Sequence, residues 1–337
     1  MADSRKKSVG VIGLGIIGSR VAASLRRAGY PVVVWNRSPR PEPNFLASAR
    51  EVSDSADIIQ LFVRDGEALL EVVRSMLPKL SSDHLVMNHA TVAPSETMEA
   101  ARLVSEAGAT FLDAPFTGSR DAAAVGELVY YVGGDDSALE SARAVLEASS
   151  KVILHTGGVG SATYIKLATN MISAAQVEAL AEALALLECG GVPLASLRDA
   201  LSHNVANSGV IAAKLPLMLS GDFAPRFSVK NMLKDLRLAL LSMRGTGIDL
   251  PATAATAGAL MGAVQSGWGE DDFASLSRHY SYSGSLQEIQ VQAHEPDASS
   301  TGVATGSFRD SKGKKKRSQA SAKPWFGFFQ RSKSSAS

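Results

Sequence analysis

Cysteine is almost missing from this chain: Cys189 is the single one in 337 residues. That excludes a disulfide scaffold and any multi-cysteine zinc site, and no metal site is expected. No stretch reaches the roughly 18 uninterrupted apolar residues of a spanning helix. The opening MADSRKKSVG is too polar and too short for a signal peptide and leads straight into a β-branched run. Together these features predict a reducing, cytoplasmic compartment. The sequon Asn36-Arg37-Ser38 is then better read as something other than a glycan site.

Net charge is also scarce, at +1, but it is unevenly spread. From Leu286 to Ser337 there are nine Lys/Arg against four Asp/Glu, a net +5, which leaves the first 285 residues at −4. A mildly acidic body argues against nucleic acid as its main substrate. The tail is rich in Ser, Gln, Ala and Gly, and 286–337 is expected to be disordered. It carries Lys314-Lys315-Lys316-Arg317 ahead of Pro324-Trp325-Phe326-Gly327-Phe328-Phe329. Basic residues followed by aromatics suit an anionic membrane surface or a partner, although charge runs are often simply solvated.

What is present in quantity is apolar residues, 45% of the chain, enough for a sizeable core and long enough a chain for two domains. Ser8 to Ile12 reads as a strand, Ser19 to Ala28 as a helix stopped by Gly29, and Val32 to Trp35 as a strand. Strands at Ile58–Val63, Leu85–Asn88, Thr110–Ala114, Val129–Gly133 and Val152–His155 follow, with helices at Gly66–Leu77 and Ser95–Ala107. Such alternation predicts an α/β, Rossmann-type doubly wound parallel sheet. From Ser161 to Glu188 the chain is Ala/Leu-rich without Gly or Pro, which predicts one long interdomain helix. Further helices are expected around Leu194–Asn204, Val229–Arg244 and Ala252–Gly267, with breaks near Pro216, Pro225 and Pro251. The expected organisation is a dinucleotide-binding domain over 1–160, an all-α domain over 161–285 and the basic tail.

Three segments carry chemistry. Gly13-Leu14-Gly15-Ile16-Ile17-Gly18 is a GxGxxG that follows a strand and opens a helix within a strand–helix–strand unit. Gly13 permits the tight turn, Gly15 the approach of a pyrophosphate, and Gly18 close helix–sheet packing, while the helix N-terminus offers oriented N–H groups. Eighteen residues after Gly18, where an NAD site places a carboxylate, stand Asn36, Arg37 and Ser38. Arg37 can clamp a 2′-phosphate, so NADP(H) is the preferred cofactor and NAD(H) the second; the alternative is an ordinary surface arginine. Next, Asp113-Ala114-Pro115-Phe116-Thr117-Gly118-Ser119-Arg120 breaks from a strand into a loop of N–H and hydroxyl donors suited to a carboxylate. Finally, Gly157-Gly158-Val159-Gly160 leads into the long helix with Lys166 and Asn170, i and i+4 on one face. Phe227, Lys230, Lys234 and Asp235 can form one wall of a cleft.

With these residues in place, the chain resembles the β-hydroxyacid dehydrogenase family (3-hydroxyisobutyrate dehydrogenase-like), most closely its glyoxylate and succinic semialdehyde reductase branch. The resemblance covers about residues 8–285 and rests on the glycine loop, DAPxxGS at 113–119, GxGxxxxxK at 158–166, KLxxN at 166–170 and FxxKxxxKDxRLA at 227–239. It implies Lys166 as catalytic acid/base and Asn170 as its substrate-orienting partner. It also implies Thr117, Gly118 and Ser119 as the carboxylate loop, and a homo-oligomer, dimer or tetramer. Positions matching cofactor contacts are Gly13, Leu14, Gly15, Ile16, Ile17, Gly18, Asn36, Arg37, Ser38, Phe62, Val63, Thr91, Phe227, Lys234 and Asp235.

Departures from the family pattern are Phe116-Thr117 for valine–serine and the missing proline at Phe62-Val63-Arg64. Thr169 stands where the decarboxylating phosphogluconate dehydrogenases carry a histidine, which counts against decarboxylation. The expected function is NADPH-dependent reduction of small carboxylated aldehydes or ketones, of glyoxylate or succinic semialdehyde type. The alternatives are a 3-hydroxyacid dehydrogenase running oxidatively and, from another class, a non-catalytic dinucleotide-binding scaffold. An imine reductase is disfavoured, because such relatives usually lack the lysine. A lysine on a helix is ordinarily just solvated; here the flanking glycine turn and Asn170 argue for chemistry. His89, His155 and His203 have no partner at ligand or triad spacing and read as structural, and Asp271-Asp272 reads as a capping pair rather than a metal site.

Overall fold

Short β-branched runs that are buried along their whole length need cover on both faces, and helices supply it. The computed structural model describes residues 6–280. The 286–337 tail, with its basic and aromatic clusters, lies outside them. Strand β1 (Val9–Ile12) is followed by α1 (Gly18–Arg27), β2 (Val32–Trp35), α2 (Ala49–Ser55) and β3 (Ile58–Leu61). Then come α3 (Gly66–Met76), β4 (Leu85–Asn88), α4 (Pro94–Glu106) and β5 (Thr110–Asp113). Every residue of β1, β3 and β4 is buried. One face of the sheet packs Val9, Val11, Ile58 and Met87; the other packs Ile12, Ile59, Leu61 and Val86.

These five strands pair in parallel in the order β2-β1-β3-β4-β5. The order reverses between β1 and β3, and the crevice at their carboxyl ends is where an open α/β sheet takes its ligand. Beyond β5 the sheet departs from the all-parallel expectation. Strand β6 (Phe116–Thr117), α5 (Arg120–Val125), β7 (Leu128–Gly133), α6 (Asp136–Glu147) and β8 (Ser150–Gly157) follow, with β7 antiparallel to both β5 and β6. Ten residues, 118–127, separate β6 from β7, too few for the crossover that parallel pairing requires. Strand β8 then pairs in parallel with β7.

From Ser161 onward the described chain is helical: α7 (Ser161–Cys189), α8 (Ala195–Ser202), α9 (Gly209–Ser220), α10 (Val229–Ser242), α11 (Pro251–Gln265) and a 3₁₀ segment, Phe273–Tyr280. Helix α7 runs for 29 residues as its Gly- and Pro-free stretch predicts. Its Ala174, Val177 and Leu184 pack with Met232, Leu236, Leu260 and Phe273 in a third core. Pro216 does not break the chain as expected but sits inside α9. Its fixed φ suits a helix and its missing N–H costs one bond; burial of Leu215, Leu217 and Met218 on either side outweighs that loss. Pro251 opens α11 instead, where the missing N–H costs nothing. Helices α2, α5, α6 and α9 have no counterpart among the helices that the sequence predicts. No helix among the described residues is long and apolar enough to cross a membrane.

A buried ion pair ties the helical part together. Lys214 Nζ donates to Asp272 Oδ1 and Oδ2 at 2.7 and 2.9 Å, with Asp272 fully buried. The carboxylate also accepts from the backbone of Arg226, Phe227 and Ala274. Asp272 thus caps the 3₁₀ segment, as the adjacent acids suggested, while Asp271 pairs with Arg278. Removing one member of a buried pair strands the other charge. Lys214→Met is expected to cost about 3 kcal/mol, the lower end for such pairs because three N–H donors stay on Asp272. Urea unfolding followed by circular dichroism measures it.

Candidate active site

The glycine loop is shaped by what surrounds it. Gly13, at φ +97°, has no room for a side chain: a Cβ there would come within 2.2 Å of the Phe62 carbonyl. A Cβ on Gly18 would stand 2.0 Å from the Gly13 carbonyl. Gly15 is the opposite case, with no protein atom within 4 Å of where its Cβ would point. Helix α1 starts without a side-chain cap, and the Ser19 and Arg20 N–H groups turn back to the Gly15 and Ile17 carbonyls. Two glycines press the backbone against β3 and one opens a cradle, a shape that fits a pyrophosphate.

Asn36 holds this loop from the end of β2. Its Oδ1 accepts from Leu14 N–H at 3.0 Å, and its Nδ2 donates to the Ser38 carbonyl at 2.8 Å. Arg37 and Ser38 are exposed, and no described residue pairs with the Arg37 guanidinium. Ile16 is exposed in the loop, and Phe62 lies flat on His89, rings 4.5 Å apart and 16° from parallel. His89 donates from Nδ1 to the Ala114 carbonyl at 2.6 Å, and burial pulls its imidazole down to about 4. It is neutral and structural, a support under Phe62. Val63 is half-buried against the second core.

Lys166 and Asn170 are both buried on one face of α7. Burial lowers the Lys166 pKa, opposed by the charge of Asp235 and assisted by that of Lys234. Among the described residues nothing accepts a hydrogen bond from its Nζ. Asn170 Nδ2 donates to Asp235 Oδ2 of α10 at 2.6 Å. Lys234 Nζ lies 3.0 Å from Asp235 Oδ1 as an ion pair and donates to the Thr91 carbonyl just past β4. Thr91, Lys166, Asn170, Lys234 and Asp235 therefore meet where α7 and α10 reach the sheet.

Other expected residues stand apart. Phe227 packs edge-on against Phe273, rings 6.2 Å apart, at the margin of the helical core. Lys230 is an exposed partner of Glu270. Thr117 ends β6, Gly118 has φ +135°, and Ser119 spends its hydroxyl capping α5, accepting from Asp121 and Ala122 N–H at 3.2 Å. No hydrogen bond or ion pair among the described residues joins 117–119 to Lys166 or Asn170.

The chain is similar to known proteins over its described length. Residues 8–158 match the NAD binding domain of 6-phosphogluconate dehydrogenase, and 160–280 match the NAD-binding domain of NADP-dependent 3-hydroxyisobutyrate dehydrogenase. The chain is 32% identical over 255 residues to 2-hydroxy-3-oxopropionate reductase of Escherichia coli, covering 73% of this chain and 87% of that protein. It belongs to the β-hydroxyacid dehydrogenase family. This β-hydroxyacid dehydrogenase is also 28% identical over 279 residues to the chloroplastic glyoxylate/succinic semialdehyde reductase 2 of Arabidopsis thaliana, covering 80% of this chain and 78% of that one. A 3-hydroxyisobutyrate dehydrogenase from Mycobacterium tuberculosis, solved with L-serine, superposes with TM-score 0.76 at 27% identity over 82% of this chain and 99% of its own. The chain is thus an NAD(P)-dependent oxidoreductase of the hydroxyl/carbonyl class.

The glycine geometry separates binding from folding. Gly15→Ala is expected to leave the thermal midpoint unchanged and weaken dinucleotide binding by about tenfold or more, because the added methyl enters the ligand's space. Gly18→Ala, which must displace the Gly13 carbonyl, should lower both. Thermal scans with and without NADPH, and fluorescence titration, read the contrast.

Proposed function

We propose that this protein is an NADPH-dependent reductase of small aldehydes or ketones bearing a carboxylate, of the glyoxylate or succinic semialdehyde type, with Lys166 as its acid/base. The observation that carries the reading is the Lys166 amine: buried, without an acceptor among the described residues, and one helical turn from an Asn170 fixed by Asp235. Residues 1–160 are assigned to the dinucleotide and 161–285 to completing the site and the helical core.

The bound nicotinamide dinucleotide supplies the hydride. Hydride arrival turns the carbonyl oxygen into an alkoxide, and Lys166 Nζ–H protonates it while its charge stabilises the developing anion. Asp235 fixes the Asn170 amide through Nδ2, which leaves Asn170 Oδ1 to orient the substrate. Lys234 closes over the site by holding the Thr91 backbone. Thr117, Gly118 and the backbone N–H groups around them are assigned to the carboxylate. The Ser119 hydroxyl, being a cap, serves that loop by shaping it.

The oxidative alternative, a 3-hydroxyacid dehydrogenase, is favoured by one observation: burial pushes Lys166 toward the neutral form that removes a hydroxyl proton. A screen of carboxylated aldehydes with NADPH and of 3-hydroxyacids with NADP⁺ decides between them. A non-catalytic scaffold would show turnover with neither. A homo-oligomer, dimer or tetramer, belongs to the same reading, supported by exposed Tyr164, Ile165 and Ile172 along α7.

Lys166→Ala is expected to lower kcat about a hundredfold or more with NADPH affinity unchanged, and Lys166→Arg should not rescue it, since guanidinium does not release its proton. Reduction requires the protonated amine, so its kcat should fall as pH rises through the lowered Lys166 pKa, and oxidation should rise over the same interval. Steady-state kinetics in both directions measure this.

For the cofactor, Arg37→Ala removes a charge-assisted contact and should weaken NADPH by about ten- to a hundredfold while sparing NADH. Asn36→Ala, which frees the Leu14 N–H, should weaken both cofactors alike, by about fivefold. Equal losses for both cofactors in Arg37→Ala would place the 2′-phosphate elsewhere.

A further inference from the structure

Helix α7 begins without a cap of its own. Its N-cap residue is Gly160, at φ +90°, which has no side chain to accept the N–H of the third helical residue, Thr163. That N–H is taken by Asp113, fifty residues away at the end of β5. Thr163 donates from its backbone to Asp113 Oδ2 at 2.8 Å and from Oγ1 to both carboxylate oxygens at 2.9 Å. The Gly160 N–H adds a further favourable contact. Asp113 is fully buried, and Thr163 lies one turn before Lys166 on the same helix.

We propose that Asp113 is a positioning residue for the reaction: its carboxylate, imported from the sheet, fixes the first turn of α7 and thereby the place of the Lys166 amine. The inference rests on the reading of Lys166 as acid/base. A carboxylate is suited to this task because three donors converge on it and the positive end of the helix dipole faces it. Neutral asparagine offers one acceptor oxygen, and its NH₂ would meet N–H groups head-on.

Among the described residues no charged side chain pairs with the carboxylate. Strand β4 presents Asn88 in register with it and β7 presents Gly133. Helix α4 contributes Thr97, whose hydroxyl meets that of Thr163 at 3.0 Å. Helix α6 turns Leu139, Ala142 and Leu146 inward, and α7 carries Lys166 one turn on. The nearest histidine past β4, His89, is neutral. Burial therefore pushes the Asp113 carboxyl up to about 6 in spite of its donors. As pH falls through that value the carboxyl gains a proton, loses an acceptor site and releases one of the helix donors.

The experiment uses the full chain, NADPH and the best aldehyde substrate, with wild type, Lys166→Ala, Asp113→Asn and Thr163→Val. Loss of turnover in Lys166→Ala first establishes that the lysine carries the step; turnover retained there sinks the acid/base reading by itself. Given that loss, Asp113→Asn should lower kcat about ten- to a hundredfold, the scale of a misplaced catalytic group, with substrate KM and NADPH affinity nearly unchanged. Thr163→Val, which keeps the backbone donor, should cost less. Wild-type kcat should fall as pH drops through about 6, and this acid limb should be missing in Asp113→Asn.

Hydrogen exchange supplies a readout independent of turnover: amides 160–166 should exchange faster in Asp113→Asn, with the rest of α7 unchanged. Wild-type kcat and exchange in the asparagine variant would overturn the proposal, as would a kcat loss matched by an equal loss of NADPH affinity. If Asp113→Asn does not fold, a wild-type kcat that stays level from pH 7 to below 6 overturns it.

Discussion

One rigid rod governs this molecule. Helix α7 has 29 residues, roughly 43 Å at 1.5 Å per residue. Its first turn is fastened to the sheet, and its later turns form the spine of the helical core. Lys166 and Asn170 sit between these two attachments, so both ends of the rod decide where they lie. Side chains displayed on such an element keep their mutual geometry better than side chains gathered from loops. Its seating rests on the Asp113–Thr163 bonds at the start and, further along, on the apolar packing of Ala174, Val177 and Leu184.

The charge pattern around the lysine is economical. Two amines, Lys166 and Lys234, face one carboxylate, Asp235, which also holds Asn170. Lys234 is already occupied by Asp235 and the Thr91 backbone, so the unengaged amine is Lys166. Burial removes the hydration an ammonium would otherwise enjoy, and the shared carboxylate only partly replaces it. An amine in that situation can cross between protonation states at modest cost, which acid/base work in either direction requires.

Much of this was legible in the sequence, for reasons that differ by region. The β-branched runs and the Gly- and Pro-free stretch of α7 announce themselves through periodicity and composition. The glycine loop was legible because each glycine answers a steric demand, confirmed at Gly13 and Gly18 by the Phe62 and Gly13 carbonyls. That Lys166 and Asn170 share one face of α7 was legible from their i, i+4 spacing. The reversal at β7 was not legible, since strand direction depends on connection length and on β6, a two-residue strand. The bonds of the Asn36 amide to Leu14 and Ser38 were not legible, being a tertiary contact with no local signature. The part played by Asp113 was not legible, because its partner Thr163 is fifty residues on. The faint signal was a carboxylate at the end of an otherwise apolar strand.

His89 and Asp113, which follow or end neighbouring strands, respond to acid in opposite senses. His89 falls to about 4 in the folded protein, from about 6.5 when unfolded. Between those values the unfolded chain binds more of the proton, so His89 weakens folding as pH drops. Asp113 rises to about 6, from about 4. Over nearly the same interval the folded chain binds more of its proton, so Asp113 strengthens folding as pH drops. The two slopes oppose and largely cancel. The acid slope of folding is then left to carboxylates that burial raises but hydrogen bonds hold lower still, such as Asp57, bonded by Ser8, and Asp65, bonded by Ala68: their stabilisation is lost as pH falls.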